Sequence, residues 1–127
     1  MRAKDVMPVP TERVEQKALM RWAKMHEARW PELRLIYHVP NEGQRSAHMG
    51  AELKEEGLKP GVPDVCLPVA RGGCHGLYIE LKRVKGGRVT PEQAVWIDEL
   101  LHQGYAACVC RGWEEAVNVI EQYMTQD

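Results

Sequence analysis

The stretch that decides the fold runs Lys59-Pro60-Gly61-Val62-Pro63-Asp64-Val65-Cys66-Leu67-Pro68-Val69, through Arg71–Gly76, to Leu77-Tyr78-Ile79-Glu80-Leu81-Lys82. The prolines of 59–63 make a stiff loop that delivers Asp64 to the start of the apolar run 65–69. Residues 77–82 alternate and read as a strand. A period of two sends Leu77, Ile79 and Leu81 to one face and Tyr78, Glu80 and Lys82 to the other. Burying a carboxylate and an ammonium together costs several kcal/mol unless both are paired or bound to a metal. The second face is therefore either solvated or a site. If the glycine-rich connection 71–76 folds the two runs into an antiparallel hairpin, Asp64 comes to lie near the end of the second strand that carries Glu80 and Lys82.

Outward from this hairpin the pattern is mixed α/β. Upstream, Thr11 can cap a helix in which Val14, Ala18, Leu19, Trp22, Ala23, His26 and Trp30 recur at helical spacing, with Pro31 as its stop. Residues 33–39 read as a short strand and 40–43 as a turn. Ser46 can cap a second helix to about Glu56, with Gly57 in a left-handed C-cap. Downstream, Lys85-Gly86-Gly87-Arg88 reads as a flexible basic turn. Thr90-Pro91-Glu92-Gln93 is a strong helix start, combining a capping threonine, proline at the first helical position and glutamine at the third. That helix extends to about Gln103 and ends at Gly104. A strand over 105–110 and a helix on the stripe Trp113, Ala116, Val117, Ile120 and Met124 complete the chain. The expected architecture is a central mixed sheet of about four strands flanked by helices. Residues 1–10 are expected as a flexible lead-in and 11–127 as one domain.

Composition narrows the function classes. Seventeen Lys+Arg against eighteen Asp+Glu give a net charge of −1, which weighs against a protein that coats nucleic acid by charge alone. It is compatible with an enzyme that needs carboxylates of its own, and Lys82, Arg83, Lys85 and Arg88 do cluster. No apolar run is long enough to span a bilayer, and the N-terminus has no signal-peptide pattern, so a soluble, cytoplasmic protein is expected. The four cysteines are Cys66, Cys74, Cys108 and Cys110. They lack the paired C-x-x-C spacing of structural zinc sites and read as thiols in a reducing compartment.

Two carboxylates beside a lysine offer the hard oxygen ligands that suit Mg²⁺ or Mn²⁺. Phosphodiester hydrolysis uses such a set, since the cation offsets phosphate charge and acidifies water. Lysine can hold the attacking water; whether it is also the base depends on a pKa that spacing does not give.

Gly61-Val62-Pro63-Asp64 followed by Glu80-Leu81-Lys82 resembles the PD-(D/E)XK nuclease motif. The wider pattern is similar to the virus-type replication-repair nuclease (VRR-NUC) domain. Its supporting pieces are Glu15, Asn41-Glu42-Gly43 with Arg45, Gly57-Leu58, Gln93 and Gly104-Tyr105, in order over nearly the whole chain from residue 12. The resemblance implies a restriction-endonuclease-like core and a metal-dependent DNA endonuclease. Asp64, Glu80 and the Leu81 carbonyl would hold the metal, with Glu15 as a further candidate. Lys82 would be the catalytic lysine, supported by Glu15 and Gln93. Asn41, Arg45, Lys85 and Arg88 are candidate DNA contacts. Branched or four-way junction DNA is the expected substrate, a homodimer with two sites the expected assembly, and a bacterial or phage-infected cell the expected setting. No organic cofactor or membrane is called for.

The alternatives are a silent DNA-binding or assembly module and a restriction-type enzyme on the same fold. Gln93 is equally explained as half of a capping box. Glu15 sits at the boundary of its helix's apolar stripe. The five histidines show no ligand spacing, and the tryptophans read as core.

Overall fold

The computed structural model of the protein describes residues 8–40 and 47–127. Its elements are α1 (Glu12–Met25), a 3₁₀ turn (Pro31–Leu35), β1 (Tyr37–His38), α2 (Ala47–Glu55), β2 (Val65–Leu67), β3 (Leu77–Lys82), α3 (Pro91–His102), β4 (Ala106–Arg111) and α4 (Trp113–Met124). They form an α/β structure around a four-stranded mixed sheet of order β1-β2-β3-β4. The first two pairings are antiparallel and the last is parallel. The parallel step is the one that needs a crossover, and α3 supplies it. Among the described residues no helix is long and apolar enough to cross a membrane.

The expected hairpin is present. Val65 pairs with Ile79, Cys66 with Tyr78 and Leu67 with Leu77. Carried one residue further, the same register sets Asp64 opposite Glu80. On one face of the sheet Val65, Leu67, Leu77, Ile79, Leu81 and Cys110 bury against Leu19 of α1 and Ala116, Val117, Ile120 and Met124 of α4. The strand β3 lies in the middle and is covered on both faces: all its residues are buried except Tyr78, which is half-buried. Tyr123 of α4 donates its hydroxyl hydrogen to the Val69 carbonyl and so ties the last helix to the chain after β2.

Three local expectations are corrected. Helix α1 ends at Met25 rather than reaching Trp30: His26 stacks on Trp22 and its ring Nδ1 lies 2.8 Å from the Trp22 carbonyl, closing the C-terminus early. Pro31 starts a turn instead of merely stopping a helix. Its fixed φ suits the first position of the 3₁₀ segment, whose Leu33 is fully buried. That leaves only Tyr37 and His38 of the expected strand 33–39. The basic turn after β3 is not free, because the Arg111 guanidinium donates to the carbonyls of Arg83, Gly86 and Gly87. Of the expected lead-in, Val9 accepts a bond from Arg83; residues 1–7, Asn41-Glu42-Gly43, Arg45 and the Ser46 cap fall outside the described residues.

Gly61 fixes the loop that delivers Asp64. Its φ is +92°, and a Cβ there would stand 2.6 Å from the backbone carbon of Glu92 in the first turn of α3. Gly61→Ala is expected to cost at least about 2 kcal/mol, from left-handed strain and overpacking together. Gly50→Ala, in α2 with open space around its Cα, is expected to gain up to about 1 kcal/mol of helix propensity. Denaturant titration of both variants checks the contrast.

Candidate active site

Glu80 is 2% and Lys82 6% exposed, so the second face of β3 is a buried polar face rather than a solvated one. Every arm of the Glu80 carboxylate except one is held. The Lys82 ammonium stands 3.5 Å from Glu80 Oε2. The Gln93 amide donates to the same oxygen at 3.2 Å. Glu80 Oε1 is buried and, with both carboxyls ionised, has no hydrogen-bond partner; a proton shared with Asp64 would give it one. The half-buried Asp64 is locked from the other side, its Oδ2 accepting the Leu81 N–H at 2.9 Å. Lys82 offers its carbonyl to Gly112 across β4. By the alternation of a strand, the Leu81 carbonyl then faces the β2 side, where Asp64 lies.

Gln93 serves both readings that the sequence left open. Its Oε1 accepts the Thr90 N–H at 2.9 Å and its N–H donates to Thr90 Oγ1 at 3.1 Å, which completes the capping box. The amide nitrogen left over is the one that reaches Glu80. The cap thus fixes the rotamer of a side chain that holds the carboxylate. A cleft opens beside Asp64, walled by Lys59, Gly61, Val62, Thr90 and Gln93. Lys59 carried no signal of this beyond its nearness to the proline-rich loop.

Glu15 is placed differently from Asp64 and Glu80. The buried stripe of α1 is Glu15, Leu19 and Ala23, so the carboxylate stands inside the stripe and not at its edge, while Val14 is exposed. Glu15 Oε1 accepts the Trp113 N–H at 3.4 Å, the first turn of α4. Gly112, the residue before that helix, has no side chain with which to cap it. A carboxylate from α1 takes that place, where the helix dipole favours negative charge. Among the described residues no hydrogen bond joins Glu15 to Asp64, Glu80 or Lys82. Lys85 and Arg88 are exposed on the turn after β3; Asn41 and Arg45 lie outside the described residues.

The electrostatics fit a hard cation. Burial pushes the Glu80 carboxyl up to about 8; the hydrogen bond and charge of Asp64 push the same way, and Lys82 opposes them. Two carboxyls this close, one with an unpartnered buried oxygen, are what a divalent cation would relieve. Their side chains alone do not complete a metal shell: among the described residues no three of His, Cys, Asp or Glu gather into one. Backbone oxygen, such as that of Leu81, and water are the remaining donors, as Mg²⁺ commonly accepts. The cysteines are all free thiols, Cys66 and Cys110 buried and Cys74 and Cys108 half-buried.

Glu80 makes metal-free stability depend on pH. The folded chain holds its proton more tightly than the unfolded chain, so its contribution is full below pH 4.5 and is lost as pH rises through about 8. Glu80→Gln removes this titration. In chelator, the stability of the variant relative to the parent should climb from pH 5 to 8 and level off above. A difference that stays flat across that range would refute the assignment.

The sequence matches the VRR-NUC domain family over residues 10–114. A solved structure described as a VRR_NUC domain protein is similar at 33% sequence identity and a TM-score of 0.82. The match covers 94% of this chain and 93% of that one. No curated protein is similar enough to the chain to stand as a relative.

Proposed function

The chain belongs to the VRR-NUC domain family, whose fold is of nuclease type, and we propose that it is a divalent-metal-dependent endonuclease acting on branched or junction DNA. The observation that carries this reading is the unpartnered, buried Glu80 Oε1 beside the Asp64 carboxyl, with the Lys82 ammonium 3.5 Å from the other oxygen. Buried atoms without a partner also occur at Gln16 Nε2 and Arg83 Nε, each costing about 1–3 kcal/mol. At Glu80 the atom belongs to one of two neighbouring carboxyls, and that pairing is what favours a cation. An active site has reason to keep such an oxygen open.

In this reading Asp64, Glu80 and the Leu81 carbonyl hold Mg²⁺ or Mn²⁺. When bound, such a cation supplies charge neutralisation at the scissile phosphate and a lower pKa for the attacking water. The protein's own groups position the rest. The Leu81 N–H fixes Asp64 Oδ2, and Gln93 fixes Glu80 Oε2, which leaves one oxygen of each carboxylate for a cation. Lys82 donates a hydrogen bond to the attacking water and offsets negative charge as it grows on the phosphate. Attack breaks the bond to the 3′ oxygen and leaves 5′-phosphate ends, as the family resemblance implies. Glu15 caps α4, and its carboxylate is a further candidate ligand. Lys85 and Arg88, exposed after β3, are assigned to the DNA backbone, as are Asn41 and Arg45. One site per chain suits a homodimer, which would present two sites to a symmetric junction. A cytoplasmic setting completes the proposal.

Linear duplex, flap and four-way junction DNA, incubated with Mg²⁺, Mn²⁺ or chelator, test it. Metal-dependent cutting is expected, with a loss on the order of 10²-fold or more in Lys82→Ala. Mg²⁺ should raise the melting temperature of the parent and not of Glu80→Gln. Glu15→Gln keeps an acceptor for the Trp113 N–H, so it should fold normally; a fall in metal affinity would make Glu15 a ligand and unchanged affinity would leave it a helix cap. Absence of cutting on every substrate would favour the silent binding module instead.

A further inference from the structure

Of the four tyrosines, Tyr123 is core; Tyr37 and Tyr78 stand in one row across the polar face of the sheet, with Tyr105 diagonal to Tyr78 at its end. Tyr37 on β1 pairs with Cys66 on β2, and Cys66 with Tyr78 on β3. The Cys66 thiol stands between the two phenols and helps to hold both in the neutral form. Tyr105, just before β4, meets Tyr78 edge to face at 5.4 Å between ring centres, and His75 meets Tyr105 at 5.6 Å. Tyr37 is 49% exposed, Tyr78 and Tyr105 are half-buried, and His75 is exposed. Ring surface is therefore open at Tyr37 and partly open at Tyr78 and Tyr105.

Its position is set by strand geometry. Asp64 is two residues from Cys66 on β2, and Glu80 two residues from Tyr78 on β3. Both pairs share a face, because side chains two apart on a strand point the same way. The Tyr37–Cys66–Tyr78 row thus runs parallel to the Asp64–Glu80 row, about 7 Å away at 3.3 Å per residue, with Tyr105 further out.

We propose that this row is a stacking platform for unpaired nucleotides next to the scissile phosphate, so that the enzyme prefers DNA whose branch offers single-stranded bases. The proposal rests on the nuclease reading of the neighbouring carboxylates and names the part of the substrate that they meet. Bases inside a duplex already stack on one another and have no free faces for these rings; bases at a flap or an opened branch do. Stacking is tolerant of sequence, since every base has a π face. It also answers the charge balance. At a net charge of −1 the chain exerts little long-range pull on a polyanion, so grip has to come from short-range contact. The phenols do not oppose it: Tyr78, pushed up to about 12 mainly by burial, stays neutral beside the phosphates.

The test measures binding by fluorescence anisotropy in chelator, where no cutting occurs, with labelled oligo-dT, a flap duplex and a blunt duplex. Tyr37 is the probe residue, because an exposed edge position can be changed without emptying the core. Tyr37→Ala should bind oligo-dT and the flap about 5- to 100-fold more weakly, with blunt duplex unchanged. Tyr37→Phe, which keeps the ring, should bind like the parent. Equal weakening on all three DNAs, or no weakening on any, would overturn the platform. A parent that cuts DNA in metal but is indifferent to Tyr37→Ala would lose this inference alone. A parent that neither binds nor cuts any DNA would lose the nuclease reading with it.

Discussion

A carboxylate and an ammonium two residues apart stand on the central strand of a sheet covered on both faces, and the structure around them answers the cost of that burial. An ion pair removed from water loses several kcal/mol of hydration per ion, which mutual attraction returns only in good geometry. At Glu80 and Lys82 the return is partial. One carboxylate oxygen is shared between the ammonium and the Gln93 amide, and the other is left alone. The stiff 59–63 loop, the capping box of α3 and the β2–β3 register together position the groups around that carboxyl. The core of Leu19, Ile79, Leu81 and Ile120 on the far face keeps β3 rigid enough to hold them.

Gln93 shows how few residues are needed to join fold and site. A glutamine at the third position of a helix ordinarily spends its side chain on the cap. Here the carbonyl end does so, and the amide end reaches Glu80 because α3 crosses over β3 to reach β4. Glu15 works by a related economy: a helix that begins at a glycine is capped by a carboxylate from another helix. Both residues join separate elements at helix termini, which are fixed by hydrogen bonds rather than by apolar packing alone.

Much of the fold was legible in the sequence where a strong local signal agreed with the tertiary context. The period-two run of 77–82 and the Thr90-Pro91-Glu92-Gln93 start correspond to β3 and to the beginning of α3. The misreadings fall where local preference was weak. The apolar run 33–39 has strand-like residues, yet Pro31 at its head and the burial of Leu33 favour a 3₁₀ turn and leave a two-residue strand. In α1 periodicity put Val14 on the buried side, whereas the stripe centres on Glu15, Leu19 and Ala23. A carboxylate inside a buried stripe is visible only once its partner, 98 residues away, is known. The same holds for the basic turn at 85–88, which composition made flexible and Arg111 holds in place.

The sequence by itself determined that Glu80 and Lys82 share a face, that a proline-rich loop brings Asp64 to a strand, and that a capped helix opens at Thr90. These follow from the fixed periods of strands and from hydrogen bonds between near neighbours. Only the tertiary structure decided that the shared face is buried, that Asp64 stands opposite Glu80, and that Gln93 serves cap and carboxylate at once. It alone aligned Tyr37 with Tyr78 beside them and set Tyr105 against Tyr78. Those outcomes depend on strand order and register, which bring together residues far apart in the chain, and no local rule reaches that distance.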